Sequence, residues 1–375
     1  MILENNFIYR LYYTWWKNID KTIFLSIVLL FSLGLFFSLV STSLIASDKL
    51  DTNNYFFFFK HMTYIFLGLI ILIFFSSLDE KNLFKLSIFL FFVSLFFLLL
   101  VPIIGTEVKG SKRWLELFFL PRFQPIELVK PFTIIFLATI LSSEKKLNIY
   151  HKYIVSFIVI IPISFLLMMQ PDIGQTLLIF LSWLTLVFIS GISLIIFLSF
   201  FGVSLVSILY MVFYIPKFDY IRNRIISFFN PNNGTHNFQS EKAIDAITSG
   251  GFFGKGIGEG TLKNKVPEAH TDYIVSVISE EFGVVVIILL LSVFLFLIYN
   301  VFKKVYSEEN EKIKLILVGS ITLIVAQLMI HVGVNIRLFP TTGMTLPFLS
   351  YGGSSIIGVS ILSGIILNLT KRKVT

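Results

Sequence analysis

Two short stretches hold the residues whose types and spacing could do chemistry. After Pro267, a glycine-rich polar run delivers Glu268, His270 and Asp272 directly in front of a hydrophobic segment. Charged groups placed where a chain meets lipid are costly, and so they are candidates for function. The second stretch runs from Lys109 through Lys112, Arg113 and Trp114 into PRFQPIELVK, which supplies Arg122, Glu127 and Lys130. Pro125 suits the first turn of a helix, with Gln124 as its cap and Glu127 near the positive helix end. Glu127 and Lys130 are three residues apart and share a face. Pro131 removes a backbone donor beside them, so a bend is expected there. Three charges next to Trp114 make an anion clamp; the alternative is that each is a long side chain snorkelling at a span end.

Asp272 opens a segment on which Ser276, Ser279 and Gly283 recur at helical spacing, a small polar stripe beneath the acid. It reads either as a general base or as a helix cap, although Thr271 could take the capping place. The spacing of Glu268, His270 and Asp272 fits no standard metal-ligand pattern. Upstream, Gly254, Gly256, Gly258 and Gly260 suggest a nucleotide loop, but no strand precedes them and no Lys-Ser/Thr pair opens a helix after them. Permissive backbone, or amides that approach a ligand, accounts for them better. In QPDIGQ, Asp172 stands three residues before Gln175, which resembles a capping box more than a catalytic acid. Glu280 and Glu281 lie two turns beyond Asp272 and must face protein, water or the inner rim.

The elements that position these residues follow from composition. Of 375 residues 56% are hydrophobic and 14% charged, and the mean hydropathy is +0.87, which excludes a soluble domain and indicates an all-α polytopic membrane protein. Ten apolar segments can be drawn: 20–47, 61–78, 86–104, 126–142, 154–169, 175–190, 192–216, 271–300, 315–333 and 350–369. An even number puts both termini on one side. With the N-terminus cytoplasmic, inside and outside segments each hold 15 Lys and Arg, so the total does not orient the chain; the short connectors, which carry most weight, favour this arrangement. The outside positives gather in loops 105–125 and 217–270. Within the longer loop Ala243, Ile244, Ala246 and Ile247 form the apolar side of a short interfacial helix.

The remaining segments complete a single membrane domain, 1–375. Residues 1–19 form a cytoplasmic arm. Pro340, Gly343, Pro347, Gly352 and Gly353 mark an irregular loop that dips into the protein, since broken backbone at membrane depth survives only when buried or lining a cavity. The absence of cysteine excludes disulfides, thiol catalysis and Cys-based metal sites. The formal charge of +8 is spread between spans, which suits anionic lipid head groups and not nucleic acid.

Read together, GSKRW, RFQPIELVK, QPDIG, RIISFFNP, SGG with GKGIGEG, PEAHTDYIVSVISEEFG and TLPFLSYGGSS occur in the order found in one family. Over nearly its whole length the chain resembles the SEDS family (shape, elongation, division and sporulation), bacterial cell-wall polymerases that include FtsW and RodA. VPEAHTDY and PTTGMTLPFLSYGGSS are more similar to the FtsW division branch than to RodA. Tyr273 in place of Phe, Pro131 after ELVK and Thr342 in place of Lys depart from the pattern. The resemblance implies a ten-span peptidoglycan glycosyltransferase, at the septum of the bacterial inner membrane, that acts on lipid II, a disaccharide-peptide on undecaprenyl diphosphate. The family's essential acid falls on Asp272, its sensitive basic positions on Arg122 and Lys130, and its loop Trp on Trp114. Lys112, Arg113, Glu127, Glu268 and His270 would join the substrate contacts, and a divalent cation (Mg or Mn) could share the diphosphate charge. Implied partners are a class B penicillin-binding protein transpeptidase and other divisome membrane proteins. A lipid II flippase and a non-catalytic scaffold are the competing classes. The geometric requirement is that Asp272 and Lys130 face one outer cavity.

Overall fold

The computed structural model describes residues 7–42, 55–108, 110–117, 120–143, 149–229 and 238–371; Lys109, the first six residues, Arg372 and Lys373 lie outside them. Among the described residues, ten apolar helices stand where ten segments were expected. They are α2 (Lys21–Thr42), α3 (Phe56–Ser77), α4 (Glu80–Ile104), α5 (Pro125–Leu141), α6 (Ile149–Met169), α7 (Ile173–Ile189), α8 (Leu194–Tyr214), α11 (Ile274–Ser307), α12 (Glu311–Asn335) and α13 (Gly353–Leu369). Seven are long and apolar enough to cross a membrane. The others, α5, α7 and α13, have 17 residues each. The arm forms α1 (Phe7–Asn18), and Trp15 donates its indole N–H to Ser76 Oγ at 2.8 Å. That bond ties α1 to the end of the bundle we call the tail face.

At the opposite end, the loop face, the chain departs from the all-helical expectation. Residues expected as loop 105–125 fold into an antiparallel three-stranded meander, β1 (Thr106–Val108), β2 (Ser111–Leu117) and β3 (Leu120–Phe123). Glu107 pairs with Lys112 and Leu115 with Phe123. Leu115 is fully buried and Phe123 meets Phe97 of α4 at 5.7 Å, so the sheet is seated on the end of that helix. The long loop carries α9 (Asp219–Phe229) and α10 (Phe238–Gly250); Ala243 and Ala246 are the buried side of α10, as its periodicity suggested.

Burial ranks the helices. In α12 the most apolar window is 72% buried, in α8 only 11%. Close approach at the centre depends on small residues: a Cβ at Gly364 of α13 would lie 2.8 Å from the Leu72 carbonyl, and one at Gly358 would lie 2.5 Å from the Glu127 carbonyl. Helix α5 runs through Pro131 without a break. The interruption falls instead at Gly283 of α11, where φ is 79°. There the glycine-rich turn is inserted: Val284 and Val285 amides donate to the carbonyls of Gly251 and Phe252, and Lys255 and Gly256 amides donate to those of Glu280 and Glu281. A Cβ at Gly283 would stand 2.2 Å from the Phe252 carbonyl oxygen. Gly283→Ala is therefore expected to cost about 1–3 kcal/mol from overpacking plus ~1–3 kcal/mol for a backbone conformation, φ 79° and ψ 177°, that essentially only glycine adopts. A lowered thermal unfolding temperature of the detergent-solubilised protein would report it, whereas a wild-type melting curve would mean that the inserted turn is not under constraint.

Candidate active site

The segment before α11 is held through its backbone. Glu268 adopts φ 55°, and its carbonyl accepts the amides of Thr271 and Asp272, both at 3.1 Å. The Tyr351 amide donates to the His270 carbonyl at 3.1 Å, Ser350 Oγ to the Thr271 carbonyl at 2.6 Å, and Asn335 Nδ2 to the Asp272 carbonyl at 3.1 Å. Asn335 Oδ1 also accepts the Ser276 amide at 3.2 Å. The clamp comes from the end of α12 and from the 336–352 loop, which dips into the bundle as its prolines and glycines suggested. Phe348 is buried and packs at 5.1 Å on Phe31 of α2. Helix α11 starts at Ile274 with Tyr273 in the N-cap position and no side-chain cap bond, so the capping reading of Asp272 fails. Its carboxylate lines a cavity, with Oδ2 3.5 Å from where a Cβ at Gly343 would be. Burial first, then the Asp272 charge, push the Tyr273 phenol above its usual range.

Beside it lies a polar network built on α5, α7 and the sheet. Lys130 Nζ is 2.8 Å from Glu127 Oε2, with both side chains buried, and it donates to Gln327 Oε1 at 3.3 Å. Gln327 Nε2 donates in turn to the Thr345 carbonyl of the dipping loop at 2.9 Å. Gln175 Nε2 donates to Glu127 Oε1 at 2.8 Å. Asp172 does cap α7, accepting the Gln175 amide, but the Gln175 side chain is committed to Glu127, so the reciprocal half of the capping box is absent. Gln124 makes no cap bond on α5; its amide side chain donates to Asp172 Oδ2 at 3.2 Å. Burial raises the Asp172 pKa, opposed by Arg113, whose guanidinium lies 3.5 Å away. Arg113 also donates to the carbonyls of Gln170, at 3.0 Å, and Pro171.

Both groups border one cavity of 560 Å³ on the loop face, whose lining includes Arg113, Trp114, Arg122, Glu127, Glu268 and Asp272. Lys130 is not on that wall, so the expectation that Asp272 and Lys130 face one cavity is not met. It sits beneath, behind Glu127, in a small gap that Glu127 also borders. Its charge reaches the cavity through its partner, because the first turn of α5 faces the cavity while the next is packed against α12. Arg122 is half-exposed and pairs with Glu116 at 3.1 Å. Lys112 is exposed and pairs in register with Glu107 away from the lining. His270 is likewise off the wall, packed against Phe57 at 5.6 Å and Tyr351 at 5.8 Å.

Several cavity residues escaped the sequence reading. Lys60 lies on the wall. So does Arg224, which donates to the Thr341 carbonyl at 2.8 Å and lies over the Tyr220 ring at 4.4 Å; burial lowers its pKa. The four-residue spacing of Tyr220 and Arg224 on one helical face was the available signal. Glu280 and Glu281 serve the protein itself. Glu280 accepts the amides of Leu262 at 2.9 Å and Lys263 at 2.6 Å. Glu281 accepts the Gly258 amide and the Lys263 ammonium, so the ligand of the glycine loop is its own helix. Among the described residues no group of three or more His, Cys, Asp or Glu could hold a metal ion. The described donor set does not form a cation cage.

Comparison with known proteins gives the family of the chain. Residues 20–374 match the FtsW/RodA/SpoVE model, described as a cell cycle protein. A Caulobacter vibrioides protein named "Probable peptidoglycan glycosyltransferase FtsW" is 30% identical over 361 residues, 96% of this chain and 91% of that one. A Buchnera aphidicola protein of the same name is 34% identical over 349 residues, 88% and 84% of the two. Among solved structures, one described as "Structural coordination of polymerization and crosslinking by a peptidoglycan synthase complex" superposes with a TM-score of 0.76 at 25% identity, covering 94% of this chain and 97% of that chain. The crystal structure of Thermus thermophilus rod shape determining protein RodA gives 0.68 at 25% identity, over 94% and 96%. With ten apolar helices among the described residues and the family model matching residues 20–374, the chain belongs to the FtsW/RodA/SpoVE family of polytopic membrane proteins.

Proposed function

We propose that this protein is a peptidoglycan glycosyltransferase that polymerises lipid II on the outer face of the bacterial inner membrane, in septal synthesis during division. The observation that carries this reading is that Asp272 shares one cavity with Arg113, Arg122 and Arg224. Joining a sugar 4-hydroxyl to an anomeric carbon that bears diphosphate needs a base on the acceptor side. The diphosphate leaves as an anion and needs positive charge instead of a protonating acid. Asp272 takes the hydroxyl proton as the new C–O bond forms and the bond to diphosphate breaks. Arg122 and Arg224 draw the departing charge, and Lys130, through Glu127, keeps the cavity floor from turning acidic. A class B penicillin-binding protein transpeptidase would cross-link the product beside it, with other division membrane proteins.

A flippase that guides a charged head group would need charged side chains along the membrane path. The buried Asp, Glu, Lys and His side chains among the described residues, such as Glu127, Lys130, Glu280, Glu281 and His331, all stand within a few turns of the loop face. The test is one purified sample with its transpeptidase, assayed for glycan chains on a gel and for lipid II translocation in vesicles. Chains without translocation are expected; translocation without chains would replace this reading by a flippase.

A further inference from the structure

Away from the cavity, the turn after α10 shows apolar side chains to the outside. Phe252, Phe253 and Ile257 are 75%, 85% and 65% exposed. The backbone bonds to Glu280, Glu281, Val284 and Val285 fix this turn at the level of the Gly283 break. Two rulers locate that level. Along α11, twenty residues separate Val284 from Lys304, a rise of about 30 Å, which equals the hydrocarbon thickness of a bilayer. Lys304 marks the tail-face boundary, since its ammonium lies 2.9 Å from Asp20, which caps the start of α2 through the Thr22 and Ile23 amides. Along α2, Phe36 and Phe37 meet Phe282 at 5.7 and 5.5 Å; they stand some fifteen residues, about 23 Å, from Lys21. The first puts the turn at the loop-face edge of the hydrocarbon core, and the second puts it ~7 Å inside that edge. Immediately beyond the break, α11 exposes Ile288 and Leu289, at 60% and 59%, so the apolar strip continues into the bilayer without a polar gap.

We propose that Phe252, Phe253 and Ile257 form a wedge seated in the head-group and acyl boundary of the loop-face leaflet. Three large apolar groups on a rigid turn at this depth match the burial of interfacial apolar faces, and the Lys255 ammonium in the same turn is directed at Glu280, 4.0 Å away, so it does not break the apolar surface. The wedge is sewn to Glu280 and Glu281, which lie on the short helical stub that begins one residue after Tyr273. It therefore sets the height of Asp272 relative to a substrate anchored by its lipid tail. That consequence rests on the proposed function, whereas the lipid contact does not.

The chain has no cysteine, so single-site labelling needs no background removal. The full-length variants Phe253→Cys and Ile257→Cys, each carrying an environment-sensitive nitrobenzoxadiazole label, would be placed in phosphatidylethanolamine–phosphatidylglycerol vesicles, with Asp245→Cys on the exposed side of α10 as reference. Both wedge labels should emit blue-shifted light and resist aqueous iodide. Nitroxides near the head group should quench them about twofold more than nitroxides deep in the acyl chain, as a depth of ~5–10 Å requires. Iodide quenching equal to that of the Asp245 label, at both wedge positions, would overturn the proposal. So would labels shielded only after the transpeptidase is added, because the surface would then be a protein contact. Neither outcome depends on polymerase activity, so failure here leaves the proposed reaction standing.

Discussion

Asp272→Asn is expected to slow lipid II polymerisation by roughly two to four orders of magnitude in a protein that still folds and inserts. The three donors that clamp this segment, the Tyr351 amide, Ser350 Oγ and Asn335 Nδ2, all bind main-chain carbonyls. An isosteric amide in place of the carboxylate leaves that clamp intact. What disappears is the capacity to take a proton from the acceptor hydroxyl, and general-base catalysis is worth roughly 10²–10⁴ in rate. The rate of glycan elongation should fall by about that factor, while the thermal unfolding temperature stays at the wild-type value. Elongation at the wild-type rate would remove Asp272 from the mechanism. A large drop in unfolding temperature would show instead that the carboxylate holds the segment.

Lys130→Met is expected to have the largest effect on stability. The side chains of Lys130 and Glu127 are 6% and 3% exposed, and removing one member of a buried pair strands the other charge at a cost of about 3–5 kcal/mol. The rescue is specific: adding Glu127→Gln removes the stranded carboxylate, and the amide oxygen introduced there still accepts from Gln175. The double variant should melt well above Lys130→Met alone, with a coupling energy of ~1–3 kcal/mol in the double-mutant cycle. Polymerisation should return in part with stability, since without the Glu127 carboxylate the cavity floor does not turn acidic. If Lys130→Met melts like the wild type, the pair does not hold α5 in place. If the double variant stays inactive although it melts like the wild type, Lys130 does more for the reaction than offset the Glu127 charge.

Much of the fold was legible because membrane spans are a local property of sequence. A helix must satisfy its own backbone in lipid, so each apolar run declares itself without reference to its neighbours. Each of the ten expected segments became a helix. The meander at Thr106–Phe123 was missed for the opposite reason. Its three short strands are stabilised by pairing such as Leu115 with Phe123 and by seating on α4, neither of which leaves a strong periodic mark in a basic loop.

The sequence by itself determined the acid and the cationic stretch as candidates, since a charge at a membrane surface is expensive wherever the chain goes. It also determined that the 336–352 segment must be irregular, because its prolines and glycines allow nothing else. Only the tertiary structure decided which of those charges meet. It set Asp272, Arg113 and Arg122 on one wall, moved Lys130 behind Glu127, placed His270 and Lys112 off the wall, and gave Glu280 and Glu281 to the glycine turn. The bonds responsible join residues far apart in the chain, as Asn335 with Asp272 and Gln327 with Lys130 do. Such pairs carry no local spacing, and they form only where packing brings α5, α11, α12 and the dipping loop together.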